Sequence, residues 1–207
     1  MFITFEGPEG SGKTTQIALL AERLSAQGLN VIAVREPGGT PIGDQIRKVV
    51  HDLKNQEMDP RAELLLYSAS RAQLVTQVIR PHLEKGGIVL CDRYFDSTLA
   101  YQGYGRGLDL SALQVITQFA TNNLTPDLTL YLDIEAEQGL QRRSSSGGEW
   151  NRMDDQELAF YHRVCDGYRL LIAAAPERWV EIDASQSKEA VQQAIYAAVS
   201  TKIGEMS

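Results

Sequence analysis

The stretch Gly7-Pro8-Glu9-Gly10-Ser11-Gly12-Lys13-Thr14 decides the fold, because it has the pattern G-x-x-x-x-G-K-[ST]. Its glycines allow consecutive backbone N–H groups to turn toward one centre and form a concave nest for anionic oxygens. A helix that begins at Lys13 directs the positive end of its dipole at the same anion. In this pattern Lys13 reaches the β- and γ-phosphates of a nucleotide, and the Thr14 hydroxyl can ligate Mg²⁺.

The residues on either side of the loop distinguish this pattern from a plain glycine-rich turn. Residues 2–5 are a short apolar, β-rich run directly before the loop. After the loop, Ile17, Leu20 and Leu24 recur at helical spacing until Gly28 supplies a stop. Strand, glycine loop and helix in this order favour a phosphate-binding loop over the turn.

Composition limits the class of protein. The chain has 207 residues, of which 43% are hydrophobic, and this fits one domain spanning 1–207. Its formal net charge of -7 argues against a nucleic-acid polymer or an anionic membrane as the main partner, although a small anionic ligand needs only local positive charge. A first strand at residue 2 and the lack of a long apolar run predict a cytoplasmic protein. Cys91 and Cys165 are expected to be reduced core thiols.

Short β-rich runs alternate with helical stretches along the whole chain. The predicted strands are residues 2–5, 31–34, 88–91, 128–132 and 179–182. Such alternation predicts an α/β fold, in which a parallel sheet of about five strands has helices on both faces. Ligands of these sheets lie at the carboxyl ends of the strands.

Two of the predicted helices open with a proline. Pro41 is placed to begin a helix with an apolar face, and Pro60 begins a longer one that ends at Gly86-Gly87. The apolar residues of the first face are Ile42, Ile46, Val49, Val50 and Leu53. The longer helix contains Leu64-Leu65-Leu66, which can serve either the core or an interface between subunits.

Charged residues follow two of the predicted strands. Asp92 comes after four apolar residues, which is the Walker-B arrangement that brings a carboxylate near Mg²⁺. Arg93 offers a planar fork for a phosphate, although Asp92 and Arg93 can also be a pair that caps the strand. Arg35 after the second strand is another cation at the same edge, in a segment that by itself indicates only a turn.

Residues 142–153 are basic, rich in serine and glycine, and without periodicity. They are either a solvated loop or a mobile lid that closes over transferring phosphates. Arg142, Arg143 and Arg152 in a segment that carries glycine favour the lid.

Some patterns are missing. The chain has no Asn-Lys-x-Asp tetrapeptide, which reads guanine in switch GTPases, and this argues against that class of protein. His51, His82 and His162 form no cluster with Ser, Cys or Asp that is typical of a hydrolase. An acceptor that is already an anionic phosphate needs no strong base, so positioning and charge stabilisation are sufficient.

Taken together, five segments resemble the bacterial thymidylate kinases, which transfer the γ-phosphoryl group of ATP to dTMP and so serve dTTP biosynthesis. The segments are residues 6–15, 35–40, 92–94, 97–103 and 126–129. The resemblance covers essentially the whole chain and implies a P-loop NTPase-type fold, Mg²⁺ with ATP as co-substrate, and a homodimer. The alternatives are another deoxynucleotide or nucleoside kinase and a non-catalytic ATP-binding regulator. Arg35 and Arg93 favour an acceptor that is already phosphorylated, and the arginine-bearing lid argues against a regulator.

The resemblance also implies roles for individual residues. Residues 7–14 hold ATP, while Thr14 and Asp92 serve the metal. The implied dTMP-binding residues are Glu9, Arg35, Arg47, Tyr67, Arg71, Arg93, Ser97, Thr98, Tyr101 and Gln102. The implied catalytic residues are Lys13, Arg93, Asp92, Glu9, Arg142, Arg143 and Arg152. The last three are included because some family members carry a catalytic arginine within the loop, whereas positions 8–11 of this chain have none. In this respect the chain resembles the bacterial type, which supplies its catalytic arginines from the lid. Many relatives have Asp directly before the last lid arginine, whereas this chain has Asn151 at that position. Residues 183–185 resemble the loop that lies beside the adenine of ATP in the family.

Overall fold

Five strands form one parallel sheet in the order β2-β3-β1-β4-β5, which confirms the predicted fold class. The strands are β1 Phe2–Glu6, β2 Val31–Arg35, β3 Ile88–Asp92, β4 Leu128–Asp133 and β5 Trp179–Asp183. This computed structural model describes residues 1–145, 147 and 150–206. The central strand β1 leads directly into the phosphate loop, so the loop lies in the middle of the carboxyl edge of the sheet.

The helices occupy most of the remaining chain. They are α1 Lys13–Ala26, α2 Pro41–His51, α3 Pro60–Leu74, α4 Arg80–Leu83, α5 Phe95–Thr98, α6 Leu110–Thr121, α7 Ala136–Ser145, α8 Leu158–Ala174 and α9 Lys188–Met206. Two stretches of wider π-helix interrupt them, Val75–Ile79 between α3 and α4, and Leu99–Gly105 after α5. Such π-helical turns are frequent at functional sites, and the second one carries Tyr101 and Gln102.

Local sequence explains where several helices begin. The Thr40 hydroxyl accepts a hydrogen bond from the backbone N–H of Gly43 at 2.9 Å, and Pro41 occupies the first turn of α2. Asp59 caps α3 in the same way before Pro60, and Asp109 caps α6. Each side-chain oxygen satisfies a backbone N–H that the first helical turn leaves without a partner.

The strands are apolar on both sides because helices cover both faces of the sheet. Ile3 and Phe5 pack into a core with residues of α1 and α9, including Leu20 and Ile195. Phe2 points the other way, into a second core with Leu74 and Tyr94. This alternation along one central strand confirms the predicted two-sided arrangement.

The structure differs from the sequence-based expectation in two places. Only part of the predicted apolar face of α2 enters the core: Val50 is buried, but Ile42, Val49 and Leu53 are exposed, and Leu53 lies beyond the helix in a short turn. Part of the segment predicted to lack periodicity is helical, because α7 extends to Ser145 and includes Arg142. Ser146, Gly148 and Glu149 of that segment lie outside the described residues. In the described ranges no helix has the length and apolar character to cross a membrane.

Candidate active site

The phosphate loop folds around its own lysine. The ammonium group of Lys13 donates hydrogen bonds to the carbonyl oxygens of Gly7 at 3.0 Å and Pro8 at 2.8 Å, and to the Ser11 hydroxyl at 3.1 Å. Burial and the nearby Arg93 guanidinium lower the pKa of Lys13 to about 8. At neutral pH the side chain is still mainly charged, so the loop presents a cation to an anionic ligand.

Helix α7 rests directly on the phosphate loop through two glycines. A Cβ atom on Gly10 would lie 1.9 Å from the carbonyl oxygen of Gly139, and one on Gly139 would lie 2.4 Å from the carbonyl oxygen of Glu9. Gly10 also has a φ of 70°, which side-chain-bearing residues rarely adopt. This close approach brings the last turn of α7, with Arg142 and Arg143, next to the loop.

Thr14 at the start of α1 and Asp92 at the end of β3 offer oxygen ligands that fit Mg²⁺. The Thr14 hydroxyl donates a hydrogen bond of 2.6 Å to a carboxylate oxygen of Asp92. Mg²⁺ prefers oxygen ligands and is usually held by one or two protein oxygens together with substrate phosphates. Within residues 1–145, 147 and 150–206, no three His, Cys, Asp or Glu side chains are grouped to hold a metal by themselves. The hydroxyl and carboxylate therefore suit a metal that arrives with a nucleotide.

Arg93, Glu9 and Tyr101 form a connected group at the mouth of the loop. Arg93 donates to a carboxylate oxygen of Glu9 at 2.9 Å, and the Tyr101 hydroxyl donates to the other oxygen at 2.7 Å. Arg93 also donates to the carbonyl oxygen of Gly7 at 3.0 Å. Its φ of 70° is unusual for a residue with a side chain. Strained backbone of this kind clusters at functional sites, where the surrounding contacts hold it.

Glu6 forms the floor beneath this group, and sequence reasoning missed its role. Its carboxylate accepts hydrogen bonds from Ser97 at 2.5 Å and Tyr168 at 2.7 Å, and Arg93 donates to the same Ser97 hydroxyl at 3.2 Å. Burial, with a smaller contribution from Asp96, raises the pKa of Glu6 to about 7. Glu6 is the last residue of β1, so the rule applied to the ends of β2 and β3 points to it as well.

The opposite wall of the cleft is organised around Arg71, which is 2% exposed. Its guanidinium donates to Glu36 at 2.6 Å, to the Thr98 hydroxyl at 3.0 Å and to the carbonyl oxygen of Tyr94 at 3.1 Å. Glu36 is a second residue that sequence reasoning left without a role. These contacts hold the guanidinium plane in one orientation beside half-buried Tyr67, which also lines the cleft.

Arg35 and Arg47 add positive charge to the same wall. Arg35 pairs with Asp44 at 3.3 Å, and Arg47 donates to the carbonyl oxygen of Pro37 at 3.0 Å. Burial lowers the pKa of Arg47, and the charge of Arg35 lowers it further. Two cations that destabilise each other in this way favour the binding of an anion between them.

The three arginines of the predicted lid have different surroundings. Arg142 donates to the carbonyl oxygens of Ala184 at 2.7 Å and Ser185 at 3.2 Å, in the loop after β5. Arg143 forms a two-pronged ion pair with Asp154, both distances being 2.9 Å. Arg152 extends into the protein and is 2% exposed.

One cleft of about 540 Å³ joins these features. Of the sequence-predicted site residues, the following line it: Glu9, Gly10, Lys13, Thr14, Arg35, Arg47, Tyr67, Arg71, Asp92, Arg93, Ser97, Thr98, Tyr101, Gln102 and Arg143. Arg142 and Arg152 are outside the lining set of this cleft, as far as the described part of the chain goes. The fold thus brings most of the predicted residues together. Two arginines of the predicted lid are separate from them, and four residues of the predicted ATP-binding loop are also absent from the lining: Gly7, Pro8, Ser11 and Gly12.

Comparison with known proteins agrees with this geometry. The family model described as thymidylate kinase matches residues 5–195. The chain belongs to the thymidylate kinase family. Members of this family are ATP-dependent dTMP kinases of nucleotide biosynthesis, and the chain is a phosphotransferase of this kind. Nothing in the comparisons favours another kinase or a non-catalytic regulator.

Individual thymidylate kinases are similar over nearly their whole length. The chain is 59% identical over 210 residues to the thymidylate kinase of Roseiflexus sp. (strain RS-1), with 96% of this chain and 93% of the relative covered. Identity to the enzyme of Deinococcus radiodurans is 51% over 202 residues, covering 98% and 97%. The crystal structure of thymidylate kinase from Ehrlichia chaffeensis superimposes with a TM-score of 0.79 at 34% identity, covering 96% of this chain and 98% of that one.

Proposed function

We propose that ATP binds over residues 7–14 and that dTMP occupies the wall formed by Arg35, Arg47, Tyr67 and Arg71. The observation that carries this proposal is that one cleft contains both a phosphate loop and a separate group of arginines. A nucleotide phosphate needs only one of these positive sites. Two sites facing the same space fit a donor and an acceptor that both carry phosphate.

The chemistry that follows needs no general base. The attacking atom is an oxygen of the dTMP phosphate, which is already an anion. Lys13 holds the ATP phosphates, Arg93 holds the acceptor phosphate, and Arg143 adds positive charge from α7. Fixed cations in a site that excludes water stabilise the charge that spreads over the transferring group.

Thr14 and Asp92 are the residues that would hold Mg²⁺. When bound, the metal neutralises negative charge on the ATP phosphates. The proposal rests on the contact between the Thr14 hydroxyl and the Asp92 carboxylate and on their oxygen chemistry.

Glu9 and Tyr101 give a physical account of the preference for deoxyribose. We assign the Glu9 carboxylate to the 3′-hydroxyl of the acceptor sugar, which is a hydrogen-bond donor that a carboxylate accepts well. The Tyr101 hydroxyl donates to Glu9 at 2.7 Å, so its ring is held against the same part of the cleft. In this position the ring fills the space that a 2′-hydroxyl needs.

The base-side residues match the hydrogen-bonding pattern of thymine. Tyr67 provides an aromatic face for stacking, and Arg71 provides N–H donors for the O4 acceptor. Gln102, Ser97 and Thr98 complete this polar side. Cytosine presents an amino group in place of O4, so two donors would face each other and binding would weaken.

We also propose that residues 1–207 act as one domain whose segment 142–153 is a mobile lid, and that the protein works in the cytoplasm as a homodimer. Exposed apolar residues support the dimer: Phe119 and Val115 on α6, Leu65 on α3 and Ile42 on α2. Helix α3 contacts both α2 and α6, so these residues belong to adjoining helices. Phe119→Glu, which adds a charge at a position that is 88% exposed, should shift the sedimentation coefficient to that of a monomer.

The function is tested by ADP formation with a panel of acceptors: dTMP, dUMP, dCMP, dGMP, AMP and thymidine. We expect the highest kcat/KM with dTMP. A preference for thymidine would contradict the assignment of Arg35 and Arg93 to an acceptor phosphate, and ATP binding without acceptor-dependent ADP formation would indicate a regulator.

A further inference from the structure

Glu63 is a buried carboxylate that joins three separate parts of the chain. It lies on α3, is 1% exposed and accepts a hydrogen bond from the Gln102 amide at 2.8 Å. It also forms ion pairs with Arg106 at 3.2 Å and with Arg152. Burial opposes its ionisation, but Arg106, Gln102 and Arg152 together hold the pKa of Glu63 below its usual value. Glu63 is therefore an anion at neutral pH, and it has no role among the site residues described so far.

Arg152 brings the predicted lid to this carboxylate. Its guanidinium donates to the carbonyl oxygen of Val50 at 2.9 Å as well as to Glu63, and its backbone N–H donates to the carbonyl oxygen of His51 at 3.1 Å. The side chain of Arg152 thus enters a site built by α2 and α3. A buried arginine with charge-assisted bonds on a planar fork is held in a single geometry.

The residues beside Arg152 form a tight turn that holds Arg143. The Asp154 carboxylate accepts from the backbone N–H of Asn151 at 3.0 Å, and the Asp154 N–H donates to the Asn151 carbonyl oxygen at 2.9 Å. The same carboxylate pairs with Arg143. Arg152 lies between the two ends of this turn. Its contacts with α2 and α3 therefore connect these helices to Asp154 and to the Arg143 guanidinium that Asp154 holds.

Glu63 also sets the orientation of the Gln102 amide. An ionised carboxylate only accepts hydrogen bonds, so the amide must present its NH₂ group to Glu63. The orientation of a residue on the acceptor wall and the docking of the lid therefore depend on the same carboxylate.

We propose that Glu63 is a positioning residue: it anchors the lid through Arg152, and this anchor directs Arg143 toward the transferring phosphate. In this assignment Arg152 is the anchor and not a catalytic arginine, and Arg143 is the lid arginine that touches the phosphates. The inference rests on the proposed function, because it concerns the same two-substrate cleft.

The kinetic test uses a double-mutant cycle. Arg152→Met leaves Glu63 paired with Arg106, so the protein should fold, and we expect kcat to fall between about tenfold and a hundredfold through misplacement of Arg143. If Arg152 acts through Arg143, Arg152→Met should have no further effect on kcat in an Arg143→Met background. Arg152→Lys, which retains the charge opposite Glu63, should recover part of the loss.

Arg152→Met and Glu63→Gln should differ in their KM for dTMP. Arg152→Met should leave the KM for dTMP close to that of the wild type, because Glu63 still orients Gln102. Glu63→Gln should lower kcat and also raise the KM for dTMP, because a neutral amide no longer imposes one orientation on Gln102. A structural defect alone would not lower kcat in both variants and raise the KM for dTMP in Glu63→Gln only.

Trp150 reports the position of the lid directly. The chain has two tryptophans, and Trp179 is buried in β5, so a Trp179→Phe parent carries a single tryptophan, Trp150, two residues from Arg152. Acrylamide quenching of Trp150 should increase in Arg152→Met and in Glu63→Gln. Arg169→Met, which removes an exposed ion pair with Asp166 on α8, is the matched control and should leave quenching and kcat unchanged.

The outcomes separate this inference from the function on which it rests. A wild-type protein without dTMP kinase activity contradicts the proposed function. An active wild type in which Arg152→Met leaves Trp150 quenching unchanged, or in which the kcat losses of Arg152→Met and Arg143→Met multiply, overturns the anchor alone.

Discussion

Arg93 and Glu9 form an ion pair of 2.9 Å that joins the end of β3 to the phosphate loop. Both side chains are mostly buried, with exposed fractions of 19% and 12%. Gly7, Ser97 and Tyr101 surround the pair, and the φ of Arg93 is 70°. The guanidinium is thus held in place before any substrate arrives, which is the condition for effective charge stabilisation.

Replacing Arg93 should therefore affect turnover more than stability. We expect Arg93→Ala to lower kcat/KM for dTMP by roughly a thousandfold, since one pre-positioned donor can contribute about 3–4 kcal/mol to the transition state. Steady-state kinetics with ATP and dTMP measure this. Arg169→Ala removes an arginine on the surface of α8 and serves as the control. Turnover within a few-fold of the wild type would refute the role of Arg93.

The pKa of Lys13 predicts a pH dependence of ATP binding. In the free protein this pKa lies at about 8 instead of 10.5, so Lys13 is charged below pH 8 and becomes neutral above it. Bound phosphates favour the charged form, so above pH 8 ATP binding must take up a proton. The Kd for ATP should increase above pH 8, approaching tenfold per pH unit. Calorimetry in two buffers of different ionisation enthalpy measures the proton uptake, and none at pH 9 would contradict the assignment.

The contact between Gly10 and Gly139 predicts that α7 cannot carry a side chain at position 139. The Cβ of Gly139→Ala would lie 2.4 Å from the carbonyl oxygen of Glu9, so either the loop or the helix must move. We expect a fall in kcat of more than tenfold, because Arg143 moves with α7. Gly204→Ala in α9 is the control, since its Cβ meets no atom within 4 Å. Equal activity of the two variants would show that the contact is unimportant.

Tyr67 should act through its ring. Tyr67→Phe retains the aromatic face and should keep a KM for dTMP near that of the wild type. Tyr67→Leu removes stacking, which contributes about 1–3 kcal/mol per base, and should raise this KM by roughly tenfold or more. Initial rates at varied dTMP concentration measure the difference. A large loss in Tyr67→Phe would instead assign the main role to the hydroxyl.

The site residues at the strand ends could be predicted because the sequence patterns that mark them are local. Residues 2–14 combine a β-rich run, glycines and a helix start within a few positions, and Asp92-Arg93 follow an apolar run directly. Parallel strands that alternate with helices bring their carboxyl ends to one edge. This rule is sufficient to gather Lys13, Arg35 and Arg93 in one cleft, which the structure confirms.

The residues that hold these side chains were not predictable from local pattern. Glu36 pairs with Arg71 across 35 positions, Glu63 with Arg152 across 89, and Glu6 accepts from Tyr168 across 162. An acidic residue within an apolar segment has no local signal that names its partner. The same limit explains α2, whose apolar face predicts burial although Ile42 and Val49 remain exposed.

The sequence by itself determined the sheet and the phosphate loop, because hydrophobic period and glycine spacing are encoded over short distances, and the resemblance of its motifs to those of thymidylate kinases implied the kind of reaction. Only the tertiary structure decided which partner each charged side chain has. It directs Arg142 to the loop after β5, pairs Arg143 with Asp154 and buries Arg152 against Glu63. Three arginines that are equivalent in a basic segment become different because burial and the nearest carboxylate depend on packing between distant parts of the chain.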